Sequence, residues 1–489
     1  MKKAKVGLLT FTDGREPVHK TLRQMNLRYQ RKMKQALEET GLFQVVAGRE
    51  IIWHPSVAKE ESIRLKEQGV LATIFNFAVW SFPHLVAIAS EFAPGPYLMF
   101  SNINPRYPGM VGMLASAGAL DQIGRYHKRV SGDIEDKKTL GKVVGFLRAT
   151  VAVNRLKGET FGLFGGRPMG MYTAVANLDQ WKKMFGIDVE HIDQYEIVRR
   201  SELVDKKKVE KALKWLESMM GKNIHYDGKI LTPEKLKIQL RAYYAVKEII
   251  KEKGVDFFGI KAQPELTDHF CTEDIIDAFF NDPYDWDGPH EPIVCATEAD
   301  MDGALTMEIF KHITGQPVLF ADVRHYDEQD DFFDLCNSGA HATFFAGKSD
   351  DPKKNLKNVH FWPEVFYFPC GGASVMHFAQ PGEVTLGRLT RRNGKYWMAI
   401  VPAEFILFDE KKNWKKAEAT SKEWPHAFAQ LKVPADEFLA TYDSNHTHGC
   451  YGNWVEELKT VCEILGIEYR IYGKQSTTVD AKTAKTFLT

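Results

Sequence analysis

No two of the six cysteines have CxxC spacing, so the chain offers no thiolate-rich set for structural zinc. They fall singly at 271, 295, 336, 370, 450 and 462, and Cys295 and Cys336 lie in apolar contexts. This is the pattern of buried free thiols in a reducing cytoplasm. Long apolar runs are missing too: nothing approaches the roughly 20 residues that span a bilayer. The N-terminal MKKAKVGLLTFTDGR has two lysines and a short apolar run, but that run ends at Asp13-Gly14-Arg15, which reads as a first strand rather than a signal peptide. Charge of one sign is also lacking. Sixty-four basic residues balance sixty-four acidic ones, so no overall field favours nucleic acid or an anionic membrane, and a small-molecule substrate is expected.

At 489 residues the chain exceeds one hydrophobic core, and two or three domains are expected. Apolar runs at Lys5 to Thr10, Phe43 to Ala47, Ala72 to Phe77 and Tyr97 to Phe100 alternate with helical patterns. That is the mark of a doubly wound α/β unit. Arg15 falls in its first strand-to-helix turn and Trp80 just after its third strand; the plain reading is a solvated Arg and a packed Trp, yet both occupy strand ends, where ligands gather. A long helix, about Leu140 to Lys157, leads to a second α/β unit opening with TFGLFGGRPMGMYT. Gly165, Gly166 and Gly170 there are better read as turn glycines than as a phosphate cradle, because the spacing is not GxGxxG and no GK[ST] follows. Lys-rich amphipathic helices follow at Val204 to Met220 and Pro233 to Lys253, then a buried strand, Asp256 to Ile260, ending in Lys261 and Gln263. Asn281 to Pro292 is an aromatic, acidic loop punctuated by Pro and Gly.

The organising stretch is Ile293 to Val323. It reads as a buried strand (Ile293 to Ala296) delivering Glu298, a helix (about Gly303 to Ile313), and a second buried strand (Val318 to Ala321) delivering Asp322. Two carboxylates at the ends of parallel strands look aimed at one point. Beyond Asp322 the pattern turns to short runs between GG, PG and NG turns: Val365 to Phe368, Val384 to Thr390, Tyr396 to Val401 and Glu404 to Phe408. These predict a β-rich domain. A His-bearing loop, SNHTHGCYGNW, an amphipathic helix and a final strand close the chain, with a polar, disordered tail expected after Lys474.

Glu298, Asp322 and a histidine of the Asn445-His446-Thr447-His448 segment make a carboxylate, carboxylate, imidazole set, which suits Mn²⁺ or Mg²⁺. Such a set fits one chemistry well, moving a proton between adjacent carbons of a hydroxy-aldehyde. That reaction needs a base at the C–H, an acid or base at the neighbouring oxygen, and positive charge to stabilise the enediolate.

Taken together, GRPMGMY (Gly166 to Tyr172), FFGIKAQPELTD (Phe257 to Asp268), NDPYDWDGPHEP, ATEADMDGALTM (Ala296 to Met307), LFADV (Leu319 to Val323) and SNHTHGCYGNWVEELK (Ser444 to Lys459) resemble the L-fucose isomerase family over nearly the whole chain. The resemblance implies two N-terminal doubly wound α/β domains (1–156 and 157–313) and a β-rich, barrel-like C-terminal domain (314–489). It implies a cytoplasmic, Mn²⁺-dependent aldose–ketose isomerase, with Mg²⁺ or Co²⁺ as substitutes, acting on a monosaccharide: L-fucose to L-fuculose, or D-arabinose to D-ribulose. The family's acid–base pair matches Glu298 and Asp322, and its metal ligands match these two with His446, preferred over His448 because the family's histidine follows an asparagine. Substrate contacts match Gln263, Met169, Trp424 and Asn445. Arg15 and Trp80 match residues that a neighbouring subunit contributes in a homohexamer. The chain is shorter than the relatives it most resembles, and its first domain matches poorly past Arg15, which leaves sugar choice open, L-arabinose included. The competing readings are a sugar-binding paralogue without turnover and a nucleotide-dependent enzyme built on Gly165, Gly166 and Gly170.

Overall fold

The computed structural model describes residues 3–338, 341–473 and 475–479, which cluster into two compact units.

The first unit holds residues 3–155 together with 456–467. Its strands β1 (Ala4–Phe11), β2 (Phe43–Ala47), β3 (Ala72–Phe77), β4 (Tyr97–Ser101) and β5 (His127–Ser131) form one parallel sheet in the order β2-β1-β3-β4-β5. Side chains alternate across a strand, so a run buried throughout must feed two cores. Val6, Leu8, Ile74 and Leu98 pack on one face with the helices Glu16–Glu39 and Lys137–Leu156. Leu9, Phe11, Phe75 and Phe77 pack on the other with Pro55–Glu67, Pro83–Phe92 and Gly109–Gln122. Three of these helices start with proline in the first turn, where its missing N–H costs nothing.

The second unit holds residues 156–455 and 468–479. It opens with a parallel sheet, order β11-β8-β6-β7, made of β6 (Thr160–Phe164), β7 (Asp188–Ile192), β8 (Phe257–Ile260) and β11 (Cys295–Ala296). A short hairpin, β9 (Tyr284–Asp285) with β10 (Gly288–Pro289), stands in the loop expected at Asn281 to Pro292. The buried helix Met301–Thr314 then leads into an eight-stranded mixed sheet. Its strands are β12 (Leu319–Asp327), β13 (Phe332–Cys336), β16 (Gly382–Arg392), β17 (Lys395–Ile406), β18 (His426–Leu431), β19 (His446–Tyr451), β20 (Glu468–Ile471) and β21 (Thr477–Val479). Their order is β16-β19-β12-β13-β18-β17-β20-β21, and β16 also pairs with β17. The sheet therefore curls back on itself, but the eight strands do not close into a barrel, because β20 and β21 continue past β17. A separate pair, β14 (His360–Pro363) with β15 (Ala373–Met376), lies alongside in sequence. The α/β followed by β-rich layout expected from the sequence is the one observed.

Several local expectations are corrected. Asp322 does not end a parallel strand; it lies within β12, which is antiparallel to both its neighbours. The His-bearing segment is strand β19, not a loop. Val365 to Phe368 forms turns between β14 and β15, with Phe366 83% exposed. Tyr396 to Val401 and Glu404 to Phe408 belong largely to one strand, β17. The Lys-rich helix begins at Lys206 rather than Val204. Thr477–Val479 pairs with β20; the rest of the expected tail, 480–489, and Lys474 lie outside the described residues. No helix follows Gly165 and Gly170 directly: both adopt positive φ (86° and 73°) and the next helix starts at Leu178. They are turn glycines, and the nucleotide reading loses its feature. No helix among the described residues is long and apolar enough to cross a membrane.

Candidate active site

Glu298 is placed by the end of the parallel sheet. β11 pairs with β8 through Cys295 and Ala296, and the chain then bends in a single turn, Thr297–Ala299. Glu298 (φ 57°) and Ala299 (φ 47°) are both left-handed, a conformation that costs a non-glycine residue about 1 kcal/mol or more. Two such residues in succession turn the backbone back so that the helix Met301–Thr314 can start at once, with Asp300 as its cap, accepting from Gly303 N at 2.9 Å.

Asp322 and His446 are brought together by strand register. β12 and β19 run antiparallel with Asp322 directly opposite His446 and Phe320 opposite His448. Opposed residues share a face, and both histidines therefore point the same way. What separates them is the neighbour each meets. His448 Nε2 lies 3.1 Å from Arg388 Nη1; a guanidinium only donates, so this imidazole accepts and is neutral. Burial, with Arg388 adding to it, pushes the His448 pKa well below the usual value. His446 instead directs Nδ1 at Asp300 Oδ2, 2.6 Å away, and Nε2 toward Glu298 Oε2 at 3.0 Å and Asp322 Oδ1 at 3.5 Å.

Each of these groups is held from behind. Asp322 accepts from Asn337 Nδ2 (2.8 Å) and Asn445 Nδ2 (3.0 Å), one on each oxygen. Asp300 is bridged by Arg388, Nη1 to Oδ2 at 2.6 Å and Nη2 to Oδ1 at 3.1 Å, and Arg388 Nη2 also donates to Thr173 O at 3.0 Å. Burial pushes the Asp300 pKa up, but Arg388 and His446 outweigh it and hold the carboxyl well below its ordinary range. Burial raises Asp322, and the nearby Glu298 charge adds to the rise. His446 responds to two opposed influences: burial favours the neutral ring, while Asp300 and Glu298 outweigh it and carry the pKa up to about 10 in the metal-free protein. Exposure is graded, from 0% for the His446 side chain to 10% for Glu298 and 28% for Asp322, so Asp322 is the most reachable of the three.

A divalent cation fits these donors. Glu298 Oε2 and His446 Nε2 are both buried, and although 3.0 Å apart neither finds a hydrogen-bond partner. Asp300 accepts from Nδ1–H and so fixes Nε2 as the nitrogen that faces the two carboxylates, the usual way a carboxylate orients a metal-binding imidazole. The set is open: among the described residues, the acid and histidine trio whose ligand atoms all lie within 4.8 Å of one another is Glu159, Glu308 and His312, not this one. Bonds of about 2.1 Å to one cation keep ligand atoms within about 4.2 Å of each other, so chelation requires a small rotation of Glu298 or Asp322.

Of the other expected contacts, Asn445 is at the site, on Asp322. Gln263 is half-buried just past β8, after the left-handed Ala262 (φ 56°). Met169 is a left-handed loop residue, 55% exposed, beyond β6. Trp424 is buried, with Nε1 3.5 Å from Glu364 Oε2 and Arg324 over its ring at 5.7 Å. Arg15 and Trp80 lie in the first unit, just past the ends of the adjacent strands β1 and β3; Arg15 pairs with Asp13 at 2.6 Å and Trp80 is half-buried near Phe82. Sequence reasoning missed Asp300, Arg388 and Asn337. Asp300 had a signal, as an acidic residue opening a helix just after Glu298; Arg388 had one as a charge inside an apolar run.

Three models of the L-fucose isomerase family match in succession: the first N-terminal domain over residues 3–158, the second over 160–255 and 239–315, and the C-terminal domain over 335–472. Curated proteins named L-fucose isomerase are similar over most of the chain. One from Haemophilus influenzae (strain PittEE) is 22% identical over 95% of this chain and 91% of its own length. One from Vibrio vulnificus is 23% identical over 76% of each, and one from Streptococcus pneumoniae 23% over 68% of each. Fold, site and matches define the class: an isomerase, an intramolecular oxidoreductase. Within that class, the chain belongs to the L-fucose isomerase family.

Proposed function

We propose that the protein interconverts L-fucose and L-fuculose, and also D-arabinose and D-ribulose, whose C2 to C4 stereochemistry is the same. Proton transfer runs through a cis-enediol, with Mn²⁺ (or Mg²⁺ or Co²⁺) held by Glu298, Asp322 and His446. The observation that carries this reading is His446 Nε2 flanked by Glu298 Oε2 at 3.0 Å and Asp322 Oδ1 at 3.5 Å. A cation held there would supply positive charge to the developing enediolate and so make the adjoining C–H more acidic. Glu298 and Asp322 take a proton at one of C1 and C2 and return it at the other, while the hydroxyl proton passes between O1 and O2 through the enediol. Asn337 and Asn445 fix the Asp322 oxygens, and Asp300 fixes the His446 ring. Gln263, Met169 and Trp424 line the sugar's path in this reading. Arg15 and Trp80 reach it from a neighbouring subunit of a homohexamer. Met110, Val111 and Leu114, exposed on the helix Gly109–Gln122, support self-association. All six cysteines are free, which suits the cytoplasm.

The test is Glu298→Gln assayed on L-fucose and D-arabinose with Mn²⁺. Turnover is expected to fall by at least about 10³-fold, with circular dichroism unchanged; a folded variant near wild-type activity would overturn the assignment. Deuterium from solvent appearing at the product carbon supports proton transfer over a hydride shift.

A further inference from the structure

The arrangement around His446 occurs a second time in the same unit. The helix Met301–Thr314 carries Glu308 and His312 one turn apart on one face, and Glu159 precedes β6 beside them. His312 Nε2 lies 2.7 Å from Glu159 Oε1 and 3.1 Å from Glu308 Oε1. Again one imidazole nitrogen faces two carboxylate oxygens, here more tightly, since the ligand atoms of all three lie within 4.8 Å of one another.

A second, independent observation concerns Glu308. The residue is wholly inaccessible to solvent, yet neither of its carboxylate oxygens has a hydrogen-bond partner; Lys311 Nζ stands 2.5 Å from Oε1 as an ion pair. A buried carboxylate oxygen without a partner is costly unless something not yet counted satisfies it. Water-sized neutral partners would meet the hydrogen-bonding need, but they leave two carboxylates beside each other at low dielectric.

We propose that Glu159, Glu308 and His312 form a second divalent-cation site, structural rather than catalytic, suited to Zn²⁺. Two carboxylates balance the cation's charge, and a neutral imidazole supplies nitrogen through Nε2. Tetrahedral bonds of about 2.0 Å put ligand atoms about 3.3 Å apart, within a few tenths of an ångström to about 0.6 Å of the 2.7 and 3.1 Å seen. Water fills the fourth position. Lys311, whose side chain is 15% exposed, swings outward to solvent. The cation ties the last turn of the helix to the start of β6, and Asp300, which orients His446, caps the start of that same helix.

The rival arrangement is an ion network without metal, in which Lys311 and a protonated His312 neutralise the two acids. The experiment loads the full-length protein with Zn²⁺, desalts it, and counts bound ions by mass spectrometry alongside the melting temperature. Wild type is expected to retain two ions per chain, Glu308→Gln and His312→Asn one each. Glu298→Gln is also expected to retain one, and the Glu298→Gln/Glu308→Gln double variant none. Removing Zn²⁺ from Glu298→Gln with chelator is expected to lower its melting temperature. If Glu308→Gln and His312→Asn bind as many ions as wild type, the proposal is wrong. Should only Glu298→Gln keep the wild-type count, the catalytic reading fails and this one stands. If the Glu308 and His312 variants do not fold, Zn-edge anomalous diffraction from the unaltered protein decides: a peak beside His312 supports the site, and its absence overturns it.

Discussion

Asp300 meets three donors inside the protein: Gly303 N, the Arg388 guanidinium and His446 Nδ1. Arg388 is 1% exposed, so its charge is tolerable only while Asp300 faces it. Asp300→Asn is expected to cost about 3 to 5 kcal/mol, the usual penalty for leaving a buried charge without its partner. In the proposed function it should also weaken Mn²⁺ binding by about 10- to 100-fold, because there the ring it orients is the nitrogen ligand. Urea melts and a Mn²⁺ titration followed by electron paramagnetic resonance measure the two effects separately. A second buried pair lets pH be used as the probe. His426 Nδ1 and Asp334 Oδ1 lie 2.9 Å apart, both nearly inaccessible. Burial favours the neutral ring, but Asp334, with Cys336 beside it, outweighs this and raises the His426 pKa well above its ordinary value. A raised folded-state pKa means the pair stabilises fully below the unfolded value, about 6.5, and loses that contribution as pH climbs through the folded value. The stability gap between wild type and Asp334→Asn is therefore expected to be widest near pH 6, at about 3 kcal/mol, and to narrow toward pH 9 in paired urea melts. At this scale the sequence exposes groups that stand at a change of pattern. Glu298 and Asp322 follow apolar runs and stand out; Arg388, a charge inside the apolar run VTLGRLT, is buried by pairing with Asp300, a partner 88 residues earlier that no local pattern indicates.

Among the elements, the β12–β19 ladder decides the geometry, since a shift of one residue would send His446 to the opposite face from Asp322. β19 is itself pinned by its other neighbour, β16, at a point where only glycine fits. A Cβ on Gly449 would stand 2.5 Å from the backbone oxygen of Thr385. Because that oxygen belongs to a paired strand, it cannot move aside as a side-chain tip could. Gly449→Val is expected to destabilise by about 1 to 3 kcal/mol and to lower kcat more than a surface substitution of equal stability cost, since it displaces the strand that carries His446. Comparing kcat and urea midpoint for Gly449→Val and for a distant core variant matched in stability checks this. The same ladder shows why some elements were readable and others not. β1, β3 and β4 are runs of apolar residues, and the helices Glu16–Glu39 and Pro233–Lys253 carry proline near the start and periodic apolar positions. β19 reads HTHGCY, with almost nothing apolar, because its buried face is spent on two histidines held by Asp300 and Arg388. Conversely VFYF at 365 to 368 has the composition of a strand but lies in turns, with Phe366 and Tyr367 exposed. Tertiary partners, not local propensity, settled both.

For the whole molecule, the chain returns on itself: residues 456–467 join the first unit after the second has been built, and 468–479 go back to the second. Contacts between such distant segments leave no periodic trace in sequence, so this arrangement was not legible there. The proposal that active sites are shared between subunits belongs to this scale and can be tested without altering the assembly. In this reading Glu298→Gln removes the acid–base group from a chain's own site, whereas Arg15→Ala removes the side chain that a neighbour contributes. Arg15 is 66% exposed and, among the described residues, pairs only with Asp13 two residues earlier, so its loss is expected to leave stability within about 0.5 kcal/mol of wild type. Each variant alone should be nearly inactive. When the two are unfolded together in equal amounts and refolded, or exchanged through dissociated subunits, a site works only if its own chain keeps Glu298 and its neighbour keeps Arg15. Random mixing meets both conditions in roughly a quarter of sites, so activity should recover to roughly a quarter of wild type. Recovery depends on subunits mixing, which native mass spectrometry of the two tagged variants records directly. Mixed oligomers that form yet show only the sum of the two separate activities would place Arg15 outside any shared site.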